Sequence, residues 1–227
     1  NSSWFTQCLT VDDTNLITKE QIDQERQEGK SEEIIQQEYY CSFDRGVEGS
    51  YYAKRMAKAR EEKRIGQVNI DSYAKVNTFW DIGVGDSTAI WFAQFIGSEV
   101  HLVDYYENAG EGLPHYVKIL DQKRIENSWI YGDHYAPHDI RQREFTSGIS
   151  RLDTAAALGI NFLITQDVSI EDGIELARSM IPKCYFDEKR CAQGIKCLDN
   201  YRKRWNDKMH VYSNSPLHDY TSHGADA

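Results

Sequence analysis

The chain has 227 residues, with 26 Lys and Arg against 36 Asp and Glu, a formal charge of −10, 40% hydrophobic and 12% aromatic content. That length supports one large domain, or one domain with an extension, around a real core. The acidity argues against a chain built chiefly to coat nucleic acid, but not against a metal-dependent nuclease, whose clustered carboxylates raise the negative count where a divalent cation sits.

From the N-terminus, the polar first part reads as helical. No apolar run approaches a membrane span, and Asn1-Ser-Ser-Trp-Phe-Thr6 lacks the basic and long apolar regions of a signal peptide, so a soluble protein is expected. Thr18-Lys-Glu-Gln21 is a capping box opening a helix that should stop at Gly29. Ser31-Glu-Glu33 opens a second helix with Ile34, Ile35, Tyr39 and Tyr40 on its apolar side. Gly46 and Gly49 precede a basic helix from about Tyr51 to Lys63. Its track of Lys54, Arg55, Lys58, Arg60, Lys63 and Arg64 reads as a solvated face with ion pairs slightly ahead of a DNA contact. Residues 1–70 thus read as a helical extension and 71–227 as the main domain, because the first part has too few large apolar residues for its own core.

From Val76 the character changes to strands. Val76, Phe79, Trp80 and Ile82 are β-formers, Gly83 and Gly85 supply a turn, and Ser87 to Ile96 resumes as the second strand of a hairpin with Asp81 at its mouth. Gly97-Ser98 turns into a third strand over Glu99 to Tyr106. A helix begins near Pro114 with Tyr116, Val117, Ile119, Leu120 and Ile125 on its apolar side. A fourth strand spans Ser128 to Tyr135 and ends at Ala136-Pro-His-Asp139. Ser150 to Leu158 reads as helix, Asn161 to Ile164 as a short buried strand, and Ile170 to Ile181 and Asp187 to Trp205 as helices separated by Pro182. Val211-Tyr212 is a brief extended piece, and the segment from Pro216 opens a last helix.

The order is β-β-β-α-β-α-β-α, an α/β mixed sheet with three antiparallel strands before parallel ones, flanked by helices. That is the ribonuclease H-like order. The fold places acids at the end of the first strand, just past the fourth and on the last helix, where this chain has Asp81, Asp139 and Asp226. Three such carboxylates are hard oxygen ligands suited to Mg²⁺ or Mn²⁺ rather than zinc. Two cations about 3.5–4 Å apart could then activate water and stabilise the leaving oxygen of a phosphodiester.

Each candidate has a plainer reading. Taken alone, Asp81 and Asp86 read equally well as turn residues, and Asp86 either binds metal through water or caps the turn. His223 would share a helix face with Asp226 as an extra ligand or proton carrier, or it is a capping or solvent-facing His near a helix start. Asp133 and Asp219 compete with Asp139 and Asp226, and turn chemistry is the preferred reading of both. Arg141, Arg143 and Arg151 are backbone-contact candidates from charge alone. The five cysteines are an odd number in a chain that needs no staples, which suggests reduced thiols in the cytosol. Cys184, Cys191 and Cys197 lack any close Cys-x-x-Cys pair and read as buried helix-face thiols. There is no P-loop signature and no Gly-x-Ser-x-Gly elbow.

Several spaced motifs occur together in one order. They are Gln37-Glu-Tyr-Tyr-Cys-Ser-Phe43; Trp80-Asp-Ile-Gly83 with Asp86; Pro137-His-Asp139 with Arg143-Glu144 and Gly148-Ile-Ser-Arg151; Glu171-Asp-Gly-Ile174 with Arg178; Leu198-Asp-Asn-Tyr-Arg202; and His218-Asp219 with Ser222-His-Gly-Ala-Asp-Ala227. With these the sequence resembles the C-terminal nuclease domain of the large terminase subunit of tailed double-stranded DNA bacteriophages, over nearly the whole chain. The resemblance implies a metal-dependent endonuclease that cuts concatemeric viral DNA at the start and end of packaging in the host cytoplasm. It implies Asp81, Asp139 and Asp226 as ligands of two Mg²⁺ or Mn²⁺ ions. The implied partners are double-stranded DNA, a small terminase subunit, the portal protein and an ATPase domain joined upstream through residues 1–70. The ending Ser-His-x-x-Asp also resembles the last motif of ribonuclease H-like junction resolvases, which ranks Asp226 over Asp219. The alternatives are a non-catalytic docking domain of the same fold that binds portal or DNA, and an actin-like or sugar-kinase-like nucleotide-binding protein.

Overall fold

The period-two alternation over Val76–Ile82 becomes the two faces of a central strand, with Val76, Thr78, Trp80 and Ile82 buried on one side and Asn77, Phe79 and Asp81 half-buried on the other. The structure is a computed structural model and describes residues 10–14, 16–27, 35, 39, 49–83, 86–143, 148–206 and 211–227. In chain order its helices are α1 (Val11–Thr14), α2 (Lys19–Gln27), α3 (Ala53–Glu61), α4 (Leu113–Asn127), α5 (Arg151–Ala157), α6 (Ile170–Met180), α7 (Ala192–Asn200) and α8 (Ser222–Asp226). Its strands are β1 (Ile65–Gly66), β2 (Val76–Ile82), β3 (Ser87–Ile96), β4 (Glu99–Ala109), β5 (Tyr131–Ala136), β6 (Phe162–Ile164), β7 (Cys184–Asp187), β8 (Lys203–Asn206) and β9 (Val211–Pro216).

Seven strands form one sheet in the order β1-β7-β4-β3-β2-β5-β6, and β8 and β9 form a separate antiparallel pair. β2, β3 and β4 are mutually antiparallel, whereas β5 runs parallel to β2, β6 to β5, β7 to β4 and β1 to β7. Three antiparallel strands followed by parallel ones is the ribonuclease H-like order expected from the sequence. Helices cover both faces. Trp80, Ile82, Ile90 and Phe92 pack with Leu113, Tyr116 and Leu120 of α4 and Ala155 of α5. On the other face Ala89, Trp91 and Tyr105 pack with Tyr51, Tyr52, Met56, Ile195, Leu198 and Tyr201. The second face carries Asp81.

Caps and turns explain the element ends. Thr18 and Gln21 make the reciprocal capping box at α2, with Thr18 N donating to Gln21 Oε1 at 2.9 Å and Gln21 N to Thr18 Oγ1 at 3.3 Å. Ser150 and Ser169 cap α5 and α6 by accepting from the backbone N–H of Asp153 and Asp172. Gly83 ends β2 where a side chain has no room, since a Cβ there would lie 2.4 Å from the Ser87 carbonyl oxygen.

Several expectations change. The helix expected over Asp187–Trp205 is instead the end of strand β7, a turn, the shorter helix α7 and strand β8. The apolar run Cys184-Tyr-Phe186 is only long enough for a buried strand, and it pairs with β4 on one side and β1 on the other. The expected strand from Ser128 starts at Tyr131, because Ser128 takes a left-handed φ of 55° and caps α4. Ile125, expected on the apolar side of α4, is 72% exposed, and Leu113 is buried in the helix's first turn. The short strand β6, expected to be buried, has Leu163 49% exposed because β6 is a sheet edge. The last helix is confined to Ser222–Asp226 because β9 takes the chain to Pro216.

The basic helix α3 packs against the body of the molecule. Tyr52 and Met56 lie in the same core as Trp91, Ser50 bridges Arg202, and β1 joins the sheet edge. Arg60 pairs with Asp199, while buried Arg64 donates to the carbonyls of Ile181 and Cys184 and pairs with Glu62. Cys184, Cys191 and Cys197 are free buried thiols, and burial pushes Cys184 up to about 12 and Cys197 up to about 11. The expected stop at Gly29, most of the helix opened at Ser31, Gly46 and the Gln37–Phe43 segment apart from Tyr39 lie outside the described residues. No helix among the described residues is long and apolar enough to cross a membrane.

Candidate active site

Strands β2 and β5 are parallel, so their C-terminal ends lie side by side, a place where α/β sheets open onto a crevice. Asp81 is the penultimate residue of β2, and Asp139 sits in a single 3₁₀ turn, His138–Arg141, directly after β5. Helix α8 crosses this end against β2 and β3 and brings His223 and Asp226. It lies close because Gly224 has no side chain: a Cβ there would stand 2.6 Å from the Tyr105 hydroxyl and 2.8 Å from Cys197 Cβ. Trp91 ties it down, its Nε1 donating to the Gly224 carbonyl at 2.8 Å.

Carboxylates from separate elements converge. Asp81 pairs across the ladder with Ala89, and Ala89 pairs with Glu107, so one row crosses three strands with an acid at each end. His223 Nδ1 lies 3.0 Å from Asp81 Oδ2, and its Nε2 lies 3.1 Å from Asp86 Oδ1. His218 Nε2 is 3.4 Å from Asp86 Oδ2. Tyr201, buried in the core, donates its hydroxyl to Asp226 Oδ1 at 3.0 Å. Asp139 Oδ1 is buried and has no hydrogen-bond partner among the described residues. An unpaired buried acceptor is costly unless a proton or a cation faces it.

The electrostatics match. Burial raises Asp81, a shift opposed by His223 and reinforced by the charges of Asp139 and Asp86. Packing around its carboxyl, with the added charge of Asp81, pushes Asp226 up to about 6, although the residue as a whole is exposed. Burial disfavours the charge on His223, but the hydrogen bond and charge of Asp81, together with the charges of Asp86 and Glu107, outweigh it and hold His223 above its ordinary value. Asp86 is held below the usual carboxylate range by the backbone N–H of Ser87 and by His223.

These shifts act on stability in one direction. An acid whose folded pKa is raised binds protons more tightly when folded, so Asp81 and Asp226 destabilise at neutral pH and that cost is relieved as pH falls through about 6. The raised His223 contributes stability below its ordinary value, and that contribution is lost as pH rises through its folded value. In EDTA the thermal midpoint should therefore be higher near about pH 5.5 than near about pH 8, and Asp226→Asn should flatten the slope. A wild-type midpoint that rises across this interval would contradict the arrangement.

The other candidates take different places. Asp219 Oδ1 accepts from Thr221 N at 2.9 Å and Thr221 Oγ1 at 2.5 Å, and Asp219 Oδ2 stands 3.6 Å from Arg202, so it organises the turn before α8. Asp133 is exposed on β5. Arg141 and Arg143 are exposed, whereas Arg151 is buried with Nη1 3.4 Å from the Ile82 carbonyl. Sequence reasoning misses Glu107, Tyr201 and His218 as site residues. Extending the strand period past Tyr106 finds Glu107, and the spacing of four from Ser222 finds His218; Tyr201 stands within the Leu198–Arg202 motif, but nothing local links it to Asp226.

No family model matches this sequence, and no curated protein matches it. Solved structures do. The large terminase of a thermophilic bacteriophage aligns with 96% of this chain and 52% of its own, at 16% identity and a TM-score of 0.57. This chain therefore spans about half the length of that protein. The nuclease domain of the bacteriophage SPP1 large terminase, with bound Mn, aligns over 72% of this chain and 90% of its own, at 11% identity and a TM-score of 0.53. The P22 large terminase nuclease domain aligns over 73% and 84%, at 16% identity and a TM-score of 0.50. With its mixed sheet in this strand order, the chain has the fold of the nuclease domain of phage large terminases.

Proposed function

We propose that the chain is a metal-dependent DNA endonuclease of the terminase type, cutting concatemeric viral DNA at the start and end of genome packaging in the host cytoplasm. The observation that carries this reading is the gathering of Asp81, Asp139 and Asp226 from three elements at one sheet end, with Asp139 Oδ1 buried and without a partner among the described residues. The donor set fits Mg²⁺ or Mn²⁺: the oxygens are hard, and Asp226, pushed up to about 6 by burial and then by the charge of Asp81, is a carboxylate whose ionised form a cation would favour. Bound there, two divalent cations supply an activated water and stabilisation of the leaving oxygen.

The chain's own residues hold and orient. Asp81, Asp139 and Asp226 are the proposed ligands. His223 fixes Asp81 through Nδ1, and Tyr201 fixes Asp226, the kind of outer support that keeps ligating carboxylates in place. Arg141 and Arg143, exposed beside Asp139, are the proposed phosphate-backbone contacts, giving salt-sensitive binding with little base selectivity. Double-stranded DNA, an upstream ATPase domain, a small terminase subunit and the portal protein are the proposed partners. Residues 1–70 are proposed as the connection to that ATPase domain.

The test is conversion of supercoiled plasmid to nicked and linear forms by the purified protein in Mg²⁺, Mn²⁺ or EDTA. Cleavage with either metal and none in EDTA is expected. A folded sample that cuts with neither metal would favour the docking-domain reading.

A further inference from the structure

Of the three arginines expected to contact a DNA backbone, Arg151 alone is buried, at 8% exposed, and its surroundings do not account for its charge. A guanidinium carries five N–H donors and keeps its proton, so burying it calls for several acceptors or an anion. Arg151 makes a single hydrogen bond among the described residues, from Nη1 to the Ile82 carbonyl at a long 3.4 Å, and no ion pair. Asp153, the acid closest to it in sequence, is instead engaged by Ser150 Oγ at 2.6 Å. Arg64 shows how the same chain buries an arginine for structure alone. That residue is 6% exposed and donates to the Ile181 and Cys184 carbonyls at 2.9 and 2.8 Å and to Glu62 at 2.9 Å. In Arg151, Nε and Nη2 have no partner among the described residues, yet neither is sealed from solvent. A small anion can reach them.

The surroundings point to what that anion is. Ile82 directly follows Asp81 at the end of β2, and α5, which carries Arg151, packs against the 3₁₀ turn that holds Asp139. An isolated bridge pairs Arg143 with Ser150, the chain neighbour of Arg151, so an exposed cation stands beside the buried one. We infer that Arg151 is a fixed anchor for a phosphate group of the DNA backbone next to the carboxylate set. Its planar fork matches two phosphate oxygens at once, and a guanidinium already held by packing loses little freedom on binding. The inference rests on the reading that this chain acts on DNA, but its test requires no cleavage.

The test is the affinity of metal-free protein for a short labelled duplex in EDTA, followed by fluorescence anisotropy over a range of salt. Arg151→Met should weaken binding about tenfold and reduce the slope of log affinity against log salt by about one. Arg151→Lys, which keeps the charge and loses the fork, should fall between Arg151→Met and wild type. In chloride buffer without DNA, the thermal midpoint of Arg151→Met should equal or exceed that of wild type, because the substitution removes a buried charge that has no counter-ion. Wild-type affinity in Arg151→Met, or a midpoint below wild type that Arg151→Lys restores, would make the guanidinium structural and overturn the inference. Inorganic phosphate at matched ionic strength separates the two sources of the anion. A midpoint rise with phosphate that Arg151→Met abolishes, alongside unchanged duplex binding, would assign the site to free phosphate and overturn the DNA contact. Wild type that fails to bind the duplex would overturn both this inference and the nuclease reading, whereas equal binding by wild type and Arg151→Met would remove this inference alone.

Discussion

Asp81→Asn should reduce metal-dependent plasmid cleavage on the order of 10³-fold or more, because it removes charge from a carboxylate coupled to Asp139, Asp86 and Asp226. Asp81 is hydrogen-bonded to His223, feels the charges of Asp139 and Asp86, and raises Asp226. Asparagine keeps the shape and can still meet His223, so the loss would report the missing negative oxygen. Asp226→Asn should fall in the same range. Neither substitution should lower the thermal midpoint in EDTA at neutral pH, since each removes a carboxylate whose ionised form the folded state disfavours. Asp133→Asn, at an exposed acid nearby on β5, should cut at the wild-type rate. Asp81→Asn retaining cleavage within about tenfold of wild type would remove Asp81 from the catalytic set.

Trp91→Ala should destabilise the protein by about 3–5 kcal/mol, measured by urea or guanidinium unfolding. The indole is 5% exposed, packs against Tyr105 at a ring separation of 4.7 Å and meets Phe186 at 6.1 Å. It also occupies the space over Gly194, where a Cβ would lie 2.4 Å from its ring. Trp91→Phe separates packing from hydrogen bonding. It keeps an aromatic ring and loses the Nε1 bond to Gly224, with an expected cost of about 1–3 kcal/mol. Because that bond holds the turn between His223 and Asp226, Trp91→Phe should also weaken metal binding while the core stays folded. A cost below about 1 kcal/mol for Trp91→Ala would mean that the indole is not the anchor described.

The central hairpin is legible in the sequence because its signals are local. Alternating β-formers from Val76, the Gly83 corner and the resumption at Ser87 place β2 and β3 at the expected residues. Asp81 is placed as a candidate by that hairpin, and Asp139 by the separate strand before it, since one lies near a strand end and the other just past one. Less is legible where structure depends on distant partners. Strand β7 is four residues long and is a strand because β4 and β1 flank it, so by periodicity alone its surroundings read as helix. Likewise, α3 is polar along its length but contributes Met56 to the core, which only the packed face reveals. In the candidate site, Tyr201 reaches Asp226 across 25 positions, and His218 acquires meaning only beside Asp86.

The two outer strands of the sheet, β1 with two residues and β6 with three, matter for what happens when copies of the protein meet. An open edge is a template for another chain, and its strength grows with the number of consecutive free backbone groups. Here the long strands β3 and β4, with ten and eleven residues, are interior, and each rim offers only a brief ladder. Edge-to-edge growth would gain few hydrogen bonds per encounter, so this sheet is poorly suited to seeding fibrils even where the protein is locally crowded.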